Sequence, residues 1–333
     1  MLDERKSAIL RAVVEEYIET AQPVGSARIA SATEVDVSAA TVRNEMGVLE
    51  RDGYLTQPHT SAGRIPTDKG YRFFVDHLTS PGRLQPAQRQ RVQEFFATTH
   101  GALEQMLHDT SRLLSGLTNY ASVVIGPPHE ATTIRSAQMV RLAPRVALLV
   151  LVLSNGAIEK RSLEFDDDVG EERLAAATAH LSATLVGETL AGADLPPHTG
   201  DAATDDVVAL AVSSLSTGPS DDAEHVFVGG TAMMARAFDA VETVRQVLTI
   251  LEQQYVVVTL LKDVLDRGLS VAIGEEVGLE SLADCAIVVA PYIVEGQTAG
   301  TIGVVGPTRM KYPQALAAVA HVSQRLGRHF TEA

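Results

Sequence analysis

SAATVRNEMGVLERDGYLTQPHTSAGRIPTDKGYRFFVD, residues 38–76, decides how the rest of the chain is read. It divides into a short helix, a two-strand wing and the start of another helix. Ser38 is a good N-cap, because its hydroxyl can accept from a backbone N–H two or three residues on. Val42, Met46 and Leu49 recur at helical spacing and predict a buried face. Ala39, Ala40, Thr41, Arg43 and Asn44 are left near the exposed start of that helix. Gly53 suits a C′ position in the left-handed conformation. Tyr54-Leu55-Thr56 and Arg64-Ile65-Pro66 are short extended runs around a polar loop from Gln57 to Gly63. Asn and Arg at the front of a short helix can pair bidentately with adenine and guanine edges in a major groove. A cation on a hairpin can reach the neighbouring backbone or groove.

Upstream, Leu2 to Thr20 is amphipathic, with Ile9, Leu10, Val13, Tyr17 and Ile18 on one side, and Pro23 ends it. A second short helix is expected from Ser26 to Ala32, capped by Ser26, with a turn at Glu34 to Val37. Helix, short helix, turn, helix and hairpin make a winged helix-turn-helix. An ordinary three-helix bundle has the same helix spacing, so the helices alone leave DNA binding open. Charge argues against a protein that coats nucleic acid. The 333 residues carry a net charge of −15, and residues 1–78 hold nine basic and twelve acidic side chains. Within residues 59–74, however, Arg64, Lys69 and Arg72 face only Asp68. Steering is therefore expected from a small local patch. Candidate DNA contacts are Ser38, Ala39, Thr41, Arg43, Asn44, His59, Thr60, Ser61, Arg64, Lys69 and Arg72.

The runs SAATVRNEM, LERDGYL and PHTSAGRIPTDKGYR with FVD resemble the HrcA family of heat-inducible transcription repressors. A second block, GTIGVVGPTRMKY at Gly300 to Tyr312, also resembles that family and follows in the expected order. The similarity spans the whole chain and is weakest from Asp166 to Ala223. It implies a double-stranded inverted-repeat operator of CIRCE type controlling chaperone genes, a homodimer held by an inserted domain, and a chaperonin that keeps the repressor active.

At 333 residues the chain is too long for one ordinary core, and two or three domains are expected. Thr67 caps a helix with Tyr71, Phe74, Val75 and Leu78, and Ser80-Pro81-Gly82 marks a linker. A long helix follows from Gln85 to Asn119, with Gly101 as a possible interruption. Tyr120–Gly126, Ser136–Leu142, Val146–Ser154 and Ala157–Phe165 read as strands of one antiparallel sheet, with Asn155-Gly156 as a hairpin turn. Glu171–Leu190 and Asp201–Ser220 read as helices that interrupt the strands, and His225–Val228 as a short strand. Val241–Leu265 reads as one long helix. Strands at Ser270–Gly274, Cys285–Pro291 and Ala299–Val305 and a helix at Pro313–Phe330 close the chain. The expected class is α+β. Its units are a winged helix-turn-helix domain at 1–80, a GAF-like domain at 81–165 and 224–333, and a mainly helical dimerisation insert at 166–223. The GAF-like assignment follows the resemblance.

Chemistry-bearing motifs are sparse. Cys285, the one cysteine, sits in an apolar run and reads as a buried strand residue. Asp166-Asp167-Asp168 has no further ligand at metal spacing and reads as a solvated loop. The glycine-rich run from Gly300 to Gly306 lacks the Gly-Lys-Ser/Thr of a phosphate loop and reads as a strand approached closely by a neighbour. No local nucleophile–base motif appears, so neither enzyme, metal site nor cofactor is expected. The start MLDERKSAIL has no signal-peptide pattern, and no run of 18 apolar residues exists, so a cytoplasmic protein with no membrane partner is expected. A dimeric DNA-binding repressor is the first reading. The second is a ligand-responsive GAF-domain signalling regulator with a different operator.

Overall fold

The structure, a computed structural model, describes residues 2–31, 37–60, 62–78, 82–98, 103–127, 133–154, 158–189, 192, 196–217, 226–238, 240–267, 270–294 and 296–332. Its first helix, α1 (Glu4–Thr20), is capped by the Asp3 carboxylate, which accepts from the Lys6 backbone N–H at 2.8 Å. α2 (Ser26–Ala30) is shorter than expected, and Gly25 rather than Ser26 holds its cap position. Ser26 is instead buried inside the first turn. The turn expected at Glu34–Asp36 lies outside the described residues. α3 (Ala39–Arg51) is capped by Ser38 and buries Val42, Met46 and Leu49 completely. Gly53 follows with φ +79°. β1 (Leu55–Thr56) and β2 (Ile65–Pro66) pair antiparallel, Leu55 opposite Pro66. Thr67 then caps α4 (Asp68–Asp76), accepting from Gly70 N–H at 3.2 Å.

The expected linker at Ser80-Pro81 and the interruption at Gly101 both fall outside the described residues. On either side of Gly101 run two helices, α5 (Pro86–Thr98) and α6 (Leu103–Thr118), in place of one. β3 (Ala121–Ile125) follows, then β4 (Ile134–Ala143), β5 (Val146–Leu153) and β6 (Ile158–Glu164), then α7 (Glu171–Leu185) and α8 (Ala202–Thr217). The Asn155-Gly156 turn and His225 lie outside the described residues. The chain continues through β7 (Val226–Gly229), α9 (Thr231–Ala237), α10 (Val241–Glu252), α11 (Gln254–Asp266), β8 (Val271–Ile273), β9 (Cys285–Val294), β10 (Gln297–Pro307) and α12 (Tyr312–Glu332). The helix expected at 241–265 is broken at Gln253, whose ψ of 82° is not helical.

Two separate sheets replace the single sheet expected for the first four strands. β3 joins a five-stranded sheet of order β7-β3-β10-β9-β8, whereas β4, β5 and β6 form their own. Burial explains the separation. All five residues of β3 are buried, because the larger sheet is covered on both faces. Val124, Val288, Ile302 and Val304 point to one apolar layer, with residues of α6 and α12. Val123, Ile287, Val289 and Val305 point to the other, with α10 and α11. β5 alternates instead. Ala147, Leu149, Leu151 and Leu153 are buried in a layer that includes Leu174 and Leu181 of α7 and Val207 and Val208 of α8, while the residues between them are half-buried. The Ser182 hydroxyl donates to Ala137 O at 2.8 Å and pins α7 to β4.

The fold is therefore α+β. Cys285 is fully buried in β9. At Gly300 a Cβ would lie 2.3 Å from Ile125 O, the close approach expected of the glycine-rich strand. Asp168 accepts from Arg141 Nη2 at 2.6 Å, and among the described residues no group of three His, Cys, Asp or Glu could hold a metal. Among the described residues no helix is long and apolar enough to cross a membrane.

Candidate nucleic-acid interface

The outward face of α3 is built from the residues its core face leaves over. At 3.6 residues per turn, Ala40, Arg43, Asn44, Gly47 and Arg51 fall within an arc of about 100°. Arg43, Asn44 and Arg51 are exposed and have no side-chain partner among the described residues. Ala40 and Gly47 between them are small, so little side chain separates this face from a groove floor. Ser38 and Thr41 are spent on the cap. The Ser38 hydroxyl accepts from Thr41 N–H at 3.2 Å and lies 3.0 Å from the Thr41 hydroxyl. Ala39 is half-buried beside them and contributes backbone only.

The wing is shaped by Gln57, which the sequence did not single out. Its amide donates to Thr60 O at 3.1 Å and to Ala62 O at 2.8 Å, folding the loop across its own base. His59 and Thr60 are exposed at the tip, and Ser61 lies outside the described residues. Just before β2 the chain pairs with the loop before α2, Val24 and Arg64 exchanging both backbone hydrogen bonds at 2.9 Å.

The three cations expected to form a positive patch are each engaged within the protein. Arg64 Nε donates to Glu50 Oε2 at 2.9 Å, and its side chain is 18% exposed. It bridges the wing to α3 and is not an open surface cation. Lys69 Nζ donates to Asp52 O at 2.8 Å and stands 4.4 Å above the centre of the Tyr54 ring. Arg72 is turned away from the wing altogether. It pairs with Glu276 and with Asp76 and donates to Val271 O at 2.7 Å. Arg64 and Arg72 are thus neutralised by carboxylates fourteen and 204 positions away, Lys69 is drawn onto a backbone carbonyl and a ring, and among the described residues Arg43 and Arg51 of α3 have no side-chain partner. Asp68, beside this junction, is held above the usual carboxylate range by burial first and then by Glu275, Glu276 and Asp284.

A family model described as HrcA protein C terminal domain matches residues 104–316. Over 339 residues the chain is 38% identical to the heat-inducible transcription repressor HrcA of Nocardia farcinica, covering 99% of this chain and 97% of the relative. It is 37% identical over 342 residues to the protein of the same name from Streptomyces avermitilis, covering all of both. The repressor of Shouchella clausii is 34% identical over 340 residues, covering 99% of both. A solved crystal structure of a hypothetical protein shares the fold, with a TM-score of 0.67 and 22% identity over 100% of this chain and 99% of that one. Identity at this level over the full length shows that the chain belongs to the HrcA family of heat-inducible transcription repressors.

Proposed function

We propose that this protein represses chaperone operons by binding an inverted-repeat operator of CIRCE type as a homodimer in the cytoplasm. In this reading heat relieves repression, and a chaperonin that favours the active form is the partner the family implies. The observation that carries DNA reading is the α3 face, where Arg43, Asn44 and Arg51 are exposed and, among the described residues, have no side-chain partner beside the small Ala40 and Gly47. Arg43 and Asn44 are assigned to base edges, and the hydroxyls and backbone at Ser38, Ala39 and Thr41 to phosphates. His59 and Thr60 belong to the wing contact. Glu50, Tyr54 and Glu276 hold Arg64, Lys69 and Arg72, which we therefore move from contact to support.

The domain division we propose keeps the DNA-binding unit at the start of the chain and a GAF-like unit built from β3 and β7–β10 with their helices. The insert takes in β4–β6 as well as α7 and α8, and so begins near residue 133 instead of 166. Its outer sheet face supports a dimer role. Val140 is 47% exposed and Ile158 50%, and they flank the half-buried Leu148, Val150 and Val152 of β5. Contiguous exposed aliphatic surface of this kind marks an association site.

Two measurements test the reading. Footprinting on a chaperone promoter should give protection over both arms of the repeat, and Arg43→Ala should cost roughly 1–3 kcal/mol and relax preference at one base pair. An equal loss on specific and random DNA makes Arg43 a phosphate contact. Leu148→Asp should turn the sedimenting dimer into monomer and take operator affinity with it. A stable dimer in that variant refutes the sheet face as the contact.

A further inference from the structure

We propose that Arg72 and Glu276 are positioning residues that lock the recognition helix at a fixed angle to the rest of the protomer, and so set the half-site spacing the dimer accepts. This rests on the inverted-repeat reading above. The connection runs through bonded steps. The end of α3 is tied to α4 on two sides, since the Thr67 hydroxyl donates to Gly53 O at 2.6 Å and Lys69 Nζ to Asp52 O at 2.8 Å. α4 cannot turn without α3. One turn further on, α4 presents Arg72 to the edge of the five-stranded sheet. Arg72 Nε donates to Glu276 Oε1 at 2.9 Å and Nη2 to Glu276 Oε2, a side-on pair, while Nη2 also donates to Val271 O of β8 at 2.7 Å.

The receiving side is itself fixed. Glu276 lies in a 3-10 turn, Gly274–Val277, and its Oε2 also accepts from Ile273 N–H at 3.0 Å. Its backbone carbonyl accepts from Arg267 Nη1 at 2.8 Å. Beside it Glu275 N–H donates to Asp68 Oδ2 at 3.3 Å, binding the first turn of α4 to the same loop. Gly274 holds φ +57°, and a Cβ there would fall 1.8 Å from that carboxylate oxygen. A second attachment lies on α1, where Lys311 Nζ meets Glu19 at 2.9 Å, and on α4 the buried Tyr71 ring packs 6.0 Å from that of Tyr312. Separate ties at α4 and at α1 remove the freedom to rotate that a single tie leaves.

A guanidinium fork matches a carboxylate in one plane, which an ammonium does not. All three Arg72 nitrogens are bonded to protein, so the side chain holds orientation and has no donor group left wholly free for a phosphate. In a symmetric dimer the recognition helices must meet half-sites whole turns apart, and one inserted base pair rotates one half-site by about 34°. A rigid junction turns that mismatch into lost affinity. A loose junction absorbs it.

Full-length wild type, Arg72→Ala, Arg72→Lys, Glu276→Gln and the double variant Arg72→Ala/Glu276→Gln are titrated against the repeat, against repeats with one base pair added to or removed from the spacer, and against a single half-site. Circular dichroism and sedimentation verify fold and dimer in each. Wild type should lose about tenfold or more on the altered spacers, a fraction of the 10²–10⁴ that simultaneous engagement supplies. Arg72→Ala and Glu276→Gln should each compress that difference below about threefold, with half-site binding within about twofold of wild type. Arg72→Lys should fall between, and the double variant should match the single ones, as members of one contact do. Loss by Arg72→Ala on every DNA alike, unmatched by Glu276→Gln, makes Arg72 a phosphate contact and overturns the proposal. So does undiminished spacing discrimination in both variants. Failure of the operator reading looks different, because wild type would then prefer no inverted repeat over random DNA.

Discussion

Arg64→Ala and Arg43→Ala should separate support from contact within one small domain. Arg64 forms an ion pair with Glu50 at 2.9 Å, and the two side chains are 18% and 33% exposed. A hydrogen bond to a charged group contributes about 1.5–3 kcal/mol, and a solvated surface pair about 0–1 kcal/mol. This pair lies between those cases, because Glu50 keeps part of its hydration after truncation. The expected cost of Arg64→Ala is therefore about 1–2 kcal/mol of local stability, or a 5- to 30-fold loss in the folded-to-open ratio. Hydrogen exchange of the buried α3 amides around Val42, Met46 and Leu49 in the full-length protein reads that ratio directly. Arg43 is exposed with no side-chain partner among the described residues, and Arg43→Ala should leave the same amides within about 0.5 kcal/mol of wild type while weakening operator binding. Wild-type protection in Arg64→Ala together with abolished operator binding would refute the support role and return Arg64 to the groove.

Three further outcomes are expected. Gly274→Ala should destabilise the domain junction by about 1–2 kcal/mol, since a left-handed φ of +57° disfavours alanine and the new methyl group displaces the Asp68 carboxylate; an unchanged melting temperature would show that the turn simply rearranges. Asp68→Asn should raise the melting temperature at pH 7. Burial and the neighbouring Glu275, Glu276 and Asp284 raise the folded-state pKa of Asp68, so its charged form opposes folding and stability falls as pH rises through that pKa. The gain should vanish below the ordinary carboxylate range near pH 4, where both states are neutral, and an equal gain at pH 3.5 would contradict the charge explanation. Cys285 should resist thiol reagents at pH 8 until the protein unfolds, because the side chain is fully buried and burial pushes its thiol up to about 12; rapid labelling of folded protein would show that β9 opens readily.

The bounds, cap and core face of α3 were legible in sequence because every signal they need is local. Ser38 lies three residues from the N–H it caps, and Val42, Met46 and Leu49 mark the core face by spacing alone. The same holds for Thr67 at the start of α4 and for Cys285 in its apolar strand. The roles of Arg64, Lys69 and Arg72 were not legible, because charge counting treats a cation as free until its partner is known. Glu50 is fourteen positions from Arg64 and Glu276 is 204 from Arg72, and nothing in either local sequence announces the pairing. Sheet membership failed for a related reason. β3 and β5 are both apolar runs, and membership depends on partners: β3 is covered by helices on both faces, β5 on one. The break at Gln253 had no glycine or proline to mark it, and α9 was too short to show a period.

The path of the chain through the larger sheet imposes an order on synthesis. β3 pairs with β10, Val123 opposite Gly303, so this pair of strands cannot close until residue 303 has been made, some 180 residues after β3. Residues 1–78 leave the ribosome ahead of β3, and Glu276 and Tyr312 emerge only after β4–β6, α7 and α8 have passed. At about 5–20 residues per second that interval lasts roughly 10–50 s. During it α3 already has the residues of its own core, while the surface at Glu276 and Tyr312 that α4 meets does not yet exist. A ribosome-bound chain can therefore complete α3 before the surface that holds it exists, and the closing of one strand pair, β3 with β10, is the event that joins the two.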